Sequence, residues 1–209
     1  MKTILIPTDF SQNAWNALEY AVKLFQDVPC TFYILHIGDL KDSSVKGNSF
    51  IMPAKKIDDL ITKKLSDLFE RIRKLHINKR HHFIAVQDYG NILNTIRKQV
   101  DDKNIDLIVM GTKGASGLKK AIIGSNTGDV ITKVACNVLV VPDRAVIVPP
   151  RDVAFPTDYN IFYSYPILEA ISEIFTLSQA NLRVLNIAPR SCHLTKEQQK
   201  NKAYLQDYL

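Results

Sequence analysis

The run Ile105-Asp106-Leu107-Ile108-Val109-Met110-Gly111-Thr112-Lys113-Gly114 passes from apolar residues straight into glycine. A short continuous apolar run closed by a turn signal reads as a strand covered on both faces, as in a parallel sheet. Five of the eight glycines in the chain (Gly111, Gly114, Gly117, Gly124, Gly128) follow within eighteen residues. Glycine admits positive φ and lets another group approach the backbone. Glycines clustered beyond the carboxyl end of such a strand form a binding loop, not a tail.

Outward from this strand, four more sharp-ended runs have the same character: Thr3–Pro7, Thr31–Ile37, His82–Val86 and Val138–Val141, with Asp106–Met110 as the fourth in order. Helical stretches lie between them near 11–26, 51–76, 90–102 and 125–136. Ala14, Leu18, Ala21, Val22 and Phe25 fall on one face of the first, and Ser11 is placed to cap it. Strands alternating with helices predict a doubly wound α/β fold, a five-stranded parallel sheet sandwiched by helices. Ligands in that architecture sit beyond the carboxyl ends of the strands, where strand order reverses.

A proline-rich connector, residues 146–151, separates residues 1–145 from 152–209. Beyond it the chain repeats itself. Ile4-Leu5-Ile6-Pro7-Thr8-Asp9-Phe10 is answered by Val153-Ala154-Phe155-Pro156-Thr157-Asp158-Tyr159, and Tyr33-Ile34-Leu35-His36-Ile37 by Arg183-Val184-Leu185-Asn186-Ile187. The expectation is a second, incomplete domain of the same fold, reaching only its second helix, Leu194–Leu209, and lacking a second glycine loop. Asp158 is then expected to brace its own turn.

Composition narrows the class. Apolar residues at 46% and charged residues at 23% of 209 exclude a disordered or fibrous chain. No apolar run approaches the roughly 18 residues of a membrane span, and no signal-peptide core is present. Cys30, Cys136 and Cys192 are odd in number and form no CxxC pair, so the expected location is a reducing cytoplasm. The net charge of +6 is concentrated between Lys41 and His82, where eleven Lys or Arg face five Asp or Glu. Most of that stretch reads as the solvated face of an amphipathic helix.

In the glycine loop, Gly111-Thr112-Lys113-Gly114 makes a turn directly after the strand, and Gly124-Ser125 opens a helix with Ser125 as the expected cap. Unpaired N–H groups and the positive dipole end at that helix start describe an anion cradle. The dipole contributes only about 0.3–2 kcal/mol, so several hydrogen bonds must supply most of the affinity. Neither G-x-x-x-x-G-K-[ST] nor G-x-G-x-x-G is present.

Residues 1–145 resemble the universal stress protein family. Pro7-Thr8-Asp9-Phe10-Ser11, Leu35-His36-Ile37 and Asp106-Leu107-Ile108-Val109-Met110-Gly111 look like its landmarks. Gly111, Gly114, Gly124 and Ser125 match the G-x2-G-x9-G-[ST] signature of its ATP-binding branch. The resemblance implies an adenine-nucleotide alpha hydrolase-like fold and ATP, accompanied by Mg2+, as ligand. It places Asp9 against the adenosine, with Pro7 and Thr8 shaping that wall, and Ile37 at the adenine edge. Met110 also belongs to the implied site; Gly111, Thr112, Lys113, Gly114, Ala115, Ser116 and Gly117 would wrap the phosphates, and Ser125, Asn126 and Thr127 would close the cradle beside Gly124. A homodimer through the strand Val138–Val141 is also implied.

The residues show no general base or nucleophile beside the cradle, and no G-x-S-x-G or H-E-x-x-H motif. This points to a nucleotide-dependent regulatory protein without fast turnover. Two alternatives remain: a slow ATPase or phosphotransferase in which Asp9 orients water, and a nucleic-acid-associated module using the 41–82 excess. Few aromatics interleave those cations, which argues against single-strand stacking. His81 and His82 point to opposite strand faces and cannot share a metal. His36 reads as a hydrogen-bonded strand-end histidine, and the cysteines as packing residues.

Overall fold

β-Branched and aliphatic runs form five strands, β1 (Lys2–Thr8), β2 (Cys30–Gly38), β3 (His81–Tyr89), β4 (Leu107–Gly111) and β5 (Asn137–Val141). They make one parallel sheet in the order β3-β2-β1-β4-β5. The computed structural model describes residues 1–38, 54–112, 123–186 and 193–209. They fall into two units, Met1–Ile147 and Val148–Leu209. In the first, helices α1 (Gln12–Leu24), α2 (Ala54–Arg73), α3 (Ile92–Lys103) and α4 (Ser125–Lys133) connect or follow the strands. The expected doubly wound α/β sheet is what the chain forms, and the chain direction across it reverses between β1 and β4.

Helix α1 starts where Ser11 Oγ accepts the Ala14 N–H at 3.2 Å, the cap expected of that serine. It buries Ala14, Trp15, Ala17, Leu18, Ala21 and Val22, the three- and four-residue spacing of one helical face. Full burial of Leu18 alone contributes about 1.5–3 kcal/mol. On one side of the sheet, Leu5, Leu35 and Ile108 pack against Ile96 of α3 and Val130 of α4. Helix α1 packs along β1, β4 and β5, and its Trp15 ring carries the Arg71 guanidinium of α2 at 3.8 Å. Trp15 is therefore a helix-packing residue.

Two local features prepare the site. Pairing of β1 with β4 ends at Leu5 opposite Ile108, so the two strands separate before Pro7. Proline lacks an N–H, and it sits where the β4 side no longer asks for one. His82–Val86 extends to Tyr89, because β3 stays in register with β2 as far as Tyr89 opposite Gly38. Gly90, at φ 125°, then turns the chain and donates its N–H to Gly38 O at 3.1 Å.

The second unit contains β6 (Asp152–Thr157), α5 (Tyr165–Ser178), β7 (Asn181–Asn186) and α6 (Lys196–Tyr208), with β6 parallel to β7. A capping box at Thr195 and Gln198 starts α6. Tyr159, Tyr163, Leu168 and Leu205 make its core, and Tyr163 shares a short hydrogen bond with Thr157. The turn after β6 repeats the turn after β1. Thr8 Oγ1 accepts from Phe10 N at 3.0 Å and Thr157 Oγ1 from Tyr159 N at 2.9 Å. Asp9 Oδ1 accepts from Ser11 N, and Asp158 Oδ1 from Asn160 N. Phe10 (φ 64°) and Tyr159 (φ 60°) both adopt the left-handed conformation.

Candidate functional site

At the reversal of strand order, the carboxyl ends of β1, β2 and β4 surround a cavity of about 570 Å3, within the usual range for small-molecule sites. Pro7, Thr8 and Asp9 line it from β1, Ile37 from β2, Met110 and Gly111 from β4, and Gly124, Ser125, Asn126 and Thr127 from the start of α4. Residues from four separate parts of the chain thus line one cavity. Thr112 is not a lining residue; its N–H donates to Val141 O at 3.2 Å and its carbonyl accepts from Gly124 N at 2.7 Å, which ties the end of β4 to β5 and to the start of α4. Lys113, Gly114, Ala115, Ser116 and Gly117 lie outside the described residues.

The helix start at the cavity differs from the sequence expectation in one respect. Gly124 is the cap residue of α4 and no side chain caps it; Ser125 is the first helical residue. The reason lies in Gly124 itself, whose N–H is taken by Thr112 O while its carbonyl accepts the first helical bond, from Gly128 N at 2.9 Å. The amides of Ser125, Asn126 and Thr127 precede that bond and have no partner within the helix. Thr127 Oγ1 donates to Gly111 O at 2.9 Å, binding α4 to the end of β4. At Gly111 a Cβ would lie 2.7 Å from both Cγ and Nδ2 of Asn13, so any larger residue here displaces the Asn13 amide. Asp129 pairs with Lys133 at 2.6 Å within α4 and is half exposed.

Ala14, Leu35, Gly38, Gly90, Asn91 and Ile92 also line the cavity, and the sequence did not mark them as site residues. The Gly90-Asn91 pair before an apolar-periodic helix was the available signal. Asn91 caps α3, its Oδ1 accepting from Leu93 N at 3.0 Å and Asn94 N at 3.2 Å. The two helix starts facing the cavity are therefore unlike: Asn91 satisfies the Leu93 and Asn94 amides of α3, while among the described residues no side chain bonds the Ser125, Asn126 and Thr127 amides of α4. Asp9 is exposed, and its Oδ1 also accepts Ser11 N at 2.9 Å, which fixes the turn that presents it.

The remaining candidates resolve into packing. His36 Nδ1 is 3.0 Å from Thr8 O, and Phe10 lies over its ring at 4.6 Å. His81 is buried, with Nε2 3.1 Å from Phe25 O and 3.0 Å from Val28 O, while His82 is exposed. Burial, then the charge of Asp106, pushes the Cys136 thiol upward, opposite to an activated thiolate. Cys30 is buried, and Cys192 lies outside the described residues. Asp158 is held below the usual carboxylate range by hydrogen bonds from Asn160, as expected of a turn residue. Among the described residues, no group of three His, Cys, Asp or Glu converges to hold a metal, and no helix is long and apolar enough to cross a membrane. Of the basic stretch, residues 41–53 lie outside the described residues, and Lys64 and Arg71 of α2 stand over Phe10 and Trp15.

Comparison with known proteins agrees with this geometry. Residues 1–142 match the model of the universal stress protein family. Universal stress protein MJ0531 of Methanocaldococcus jannaschii is 30% identical over 146 residues, covering 67% of this chain and 81% of that protein. Universal stress protein YxiE of Bacillus subtilis is 28% identical over 144 residues, covering 66% of this chain and 97% of that protein. The solved structure of MJ0577 superposes with a TM-score of 0.55 at 29% identity, covering 69% of this chain and 98% of that one. A universal stress protein crystallised with cAMP shares the fold, with a TM-score of 0.50 at 17% identity over 68% of this chain and 97% of that one. With the sheet order, the crevice and the glycine signature in agreement, this chain belongs to the universal stress protein family.

Proposed function

We propose that the first unit binds ATP, and that the protein is a nucleotide-dependent regulator of the stress response and not a turnover enzyme. The carrying observation is the unlike pair of helix starts across one cavity. An anion gains most at α4, where among the described residues no side chain bonds the amides of Ser125, Asn126 and Thr127 and the dipole end is positive. The uncharged end of the ligand then lies towards β2 and β3, by Ile37 and Gly38. The donor set fits a nucleotide: backbone amides at one end, apolar Leu35, Ile37 and Met110 in the wall, and Asp9 between them to accept from ribose hydroxyls. Mg2+ would enter on the phosphate oxygens and neutralise part of their charge; among the described residues Asp9 is the one carboxylate lining the cavity.

The reading of slow turnover is supported by the described lining residues, among which Asp9 is accompanied by no imidazole, thiol or second carboxylate. Assembly is part of the proposal. Strand β5 is an edge of the sheet, and an edge strand offers unpaired backbone groups to a second copy. The second unit, with its repeated Thr-Asp-aromatic turn, is read as a partial copy that carries no nucleotide. The free thiols of Cys30 and Cys136 accord with a cytoplasmic setting.

The test is calorimetric titration of the whole chain with ATP and Mg2+, with Gly114→Asp and Ser125→Ala as controls. Gly114→Asp should abolish binding by placing a carboxylate in the loop. Ser125→Ala should weaken binding without unfolding α4, because Ser125 is not the cap. At 100 times the Kd, ATP stabilises by about 2.7 kcal/mol, which raises the melting midpoint by about 5–11 °C. No heat and no shift with millimolar ATP would refute the proposal.

A further inference from the structure

We infer that Asn91 determines base recognition in this cavity, its side-chain amide donating to a ring-nitrogen acceptor of the bound nucleobase. The inference rests on the nucleotide reading above and deepens it. The orientation of Asn91 is not free. Its carboxamide is held by two backbone N–H groups, Leu93 at 3.0 Å and Asn94 at 3.2 Å, and N–H groups require an acceptor. The oxygen is therefore the atom turned into α3, and the NH2 group is the atom turned away from it. Asn91 is exposed and is part of the cavity wall. A carboxamide fixed in this way offers donors only.

Its place in the sheet decides what those donors meet. Asn91 follows Gly90, whose N–H is bonded to Gly38 O, so the end of β3 and the end of β2 form one edge of the cavity. That edge lies across β1 from the first amides of α4. The triphosphate occupies the α4 side, and the base occupies the side of Ile37, Gly38 and Asn91. The backbone of β2 can pair with one edge of the base, and the Asn91 amide reads a lone pair on another. One such hydrogen bond in a protein site changes affinity by about 2- to 12-fold.

The substitution that isolates the donor is Asn91→Asp. Aspartate caps a helix as well as asparagine does, so α3 keeps its start while the donor is lost. The whole chain and N91D are titrated with ATP, with 1-deaza-, 3-deaza- and 7-deaza-ATP, and with inorganic tripolyphosphate. N91D should bind ATP about 3- to 10-fold more weakly, within the effect of one hydrogen bond. One deaza analogue should show the same loss on the native chain and no further loss on N91D, which identifies the ring nitrogen. Tripolyphosphate should bind both proteins alike. Asn91→Ser keeps a capping oxygen without adding charge and should reproduce the loss. If the native chain binds ATP while N91D and N91S bind it and all three analogues equally well, Asn91 does not read the base and the nucleotide reading stands. If the native chain binds no nucleotide, both fall together.

Discussion

Replacing Gly111 by alanine tests the closest approach in the site. The added Cβ would sit 2.7 Å from Cγ and Nδ2 of Asn13 and 2.9 Å from its Oδ1, well inside van der Waals contact. Gly111 is the last residue of β4, and its carbonyl is held by the Thr127 hydroxyl at 2.9 Å. Asn13 is the second residue of α1, whose start is held by the Ser11 cap. The contact is relieved either by moving α1 from the strand end or by turning the Asn13 amide away. Overpacking of this kind costs about 1–3 kcal/mol. In a unit of this size each kcal/mol lowers the melting midpoint by about 2–4 °C, so G111A should melt about 2–12 °C below the native chain. The assay is a double-mutant cycle with Asn13→Ala, followed by urea and thermal denaturation. Removing the Asn13 amide should restore most of the loss, giving a coupling of about 1–2 kcal/mol. If G111A melts with the native chain, or if the two effects simply add within about 0.5 kcal/mol, the steric account of this glycine is wrong.

Other substitutions separate packing from binding. At Gly128 a Cβ meets nothing within 4 Å, so Gly128→Ala should stabilise α4 by up to about 1 kcal/mol without blocking the cavity; a lower denaturation midpoint would contradict this. His81→Ala removes a buried ring and leaves Phe25 O and Val28 O without their shared donor, which should destabilise by about 2–5 kcal/mol in chemical denaturation. Burial pushes Asp88 upward, but bonds from the Tyr89 N–H, Lys98 and Gln99 outweigh it and hold the carboxyl below the usual range. Its contribution is thus complete above the ordinary carboxylate pKa of about 3.9 and is lost as pH falls through the lower folded value. Stability measured from pH 7 down to 2.5 should therefore fall less steeply in Asp88→Asn than in the native chain, with the two curves converging at the acid end.

Much of the first unit was legible because its signals are local. Ile4-Leu5-Ile6 and Leu107-Ile108-Val109 show the continuous apolar character of strands covered on both faces, and the Ala14 to Val22 spacing marks a helix. The Gly111-Thr112 and Gly124-Ser125 pairs announced a backbone that another group approaches. Less was legible where roles depend on neighbours distant in sequence. Ser125 is a good cap residue by composition, yet Gly124 holds that position because Thr112 O captures its N–H. Asn91 is an ordinary cap in the sequence and becomes a cavity residue only through the β2–β3 register.

The sequence by itself determined the elements, the turn chemistry and the reversal that opens a crevice, because periodicity, glycine placement and crossover handedness act over a few residues or follow general rules. Only the tertiary structure decided which of the two helix starts facing the cavity is bonded by a side chain among the described residues. That outcome depends on hydrogen bonds between Thr112 and Gly124, and between Gly90 and Gly38 across more than fifty residues of chain, which no local pattern encodes.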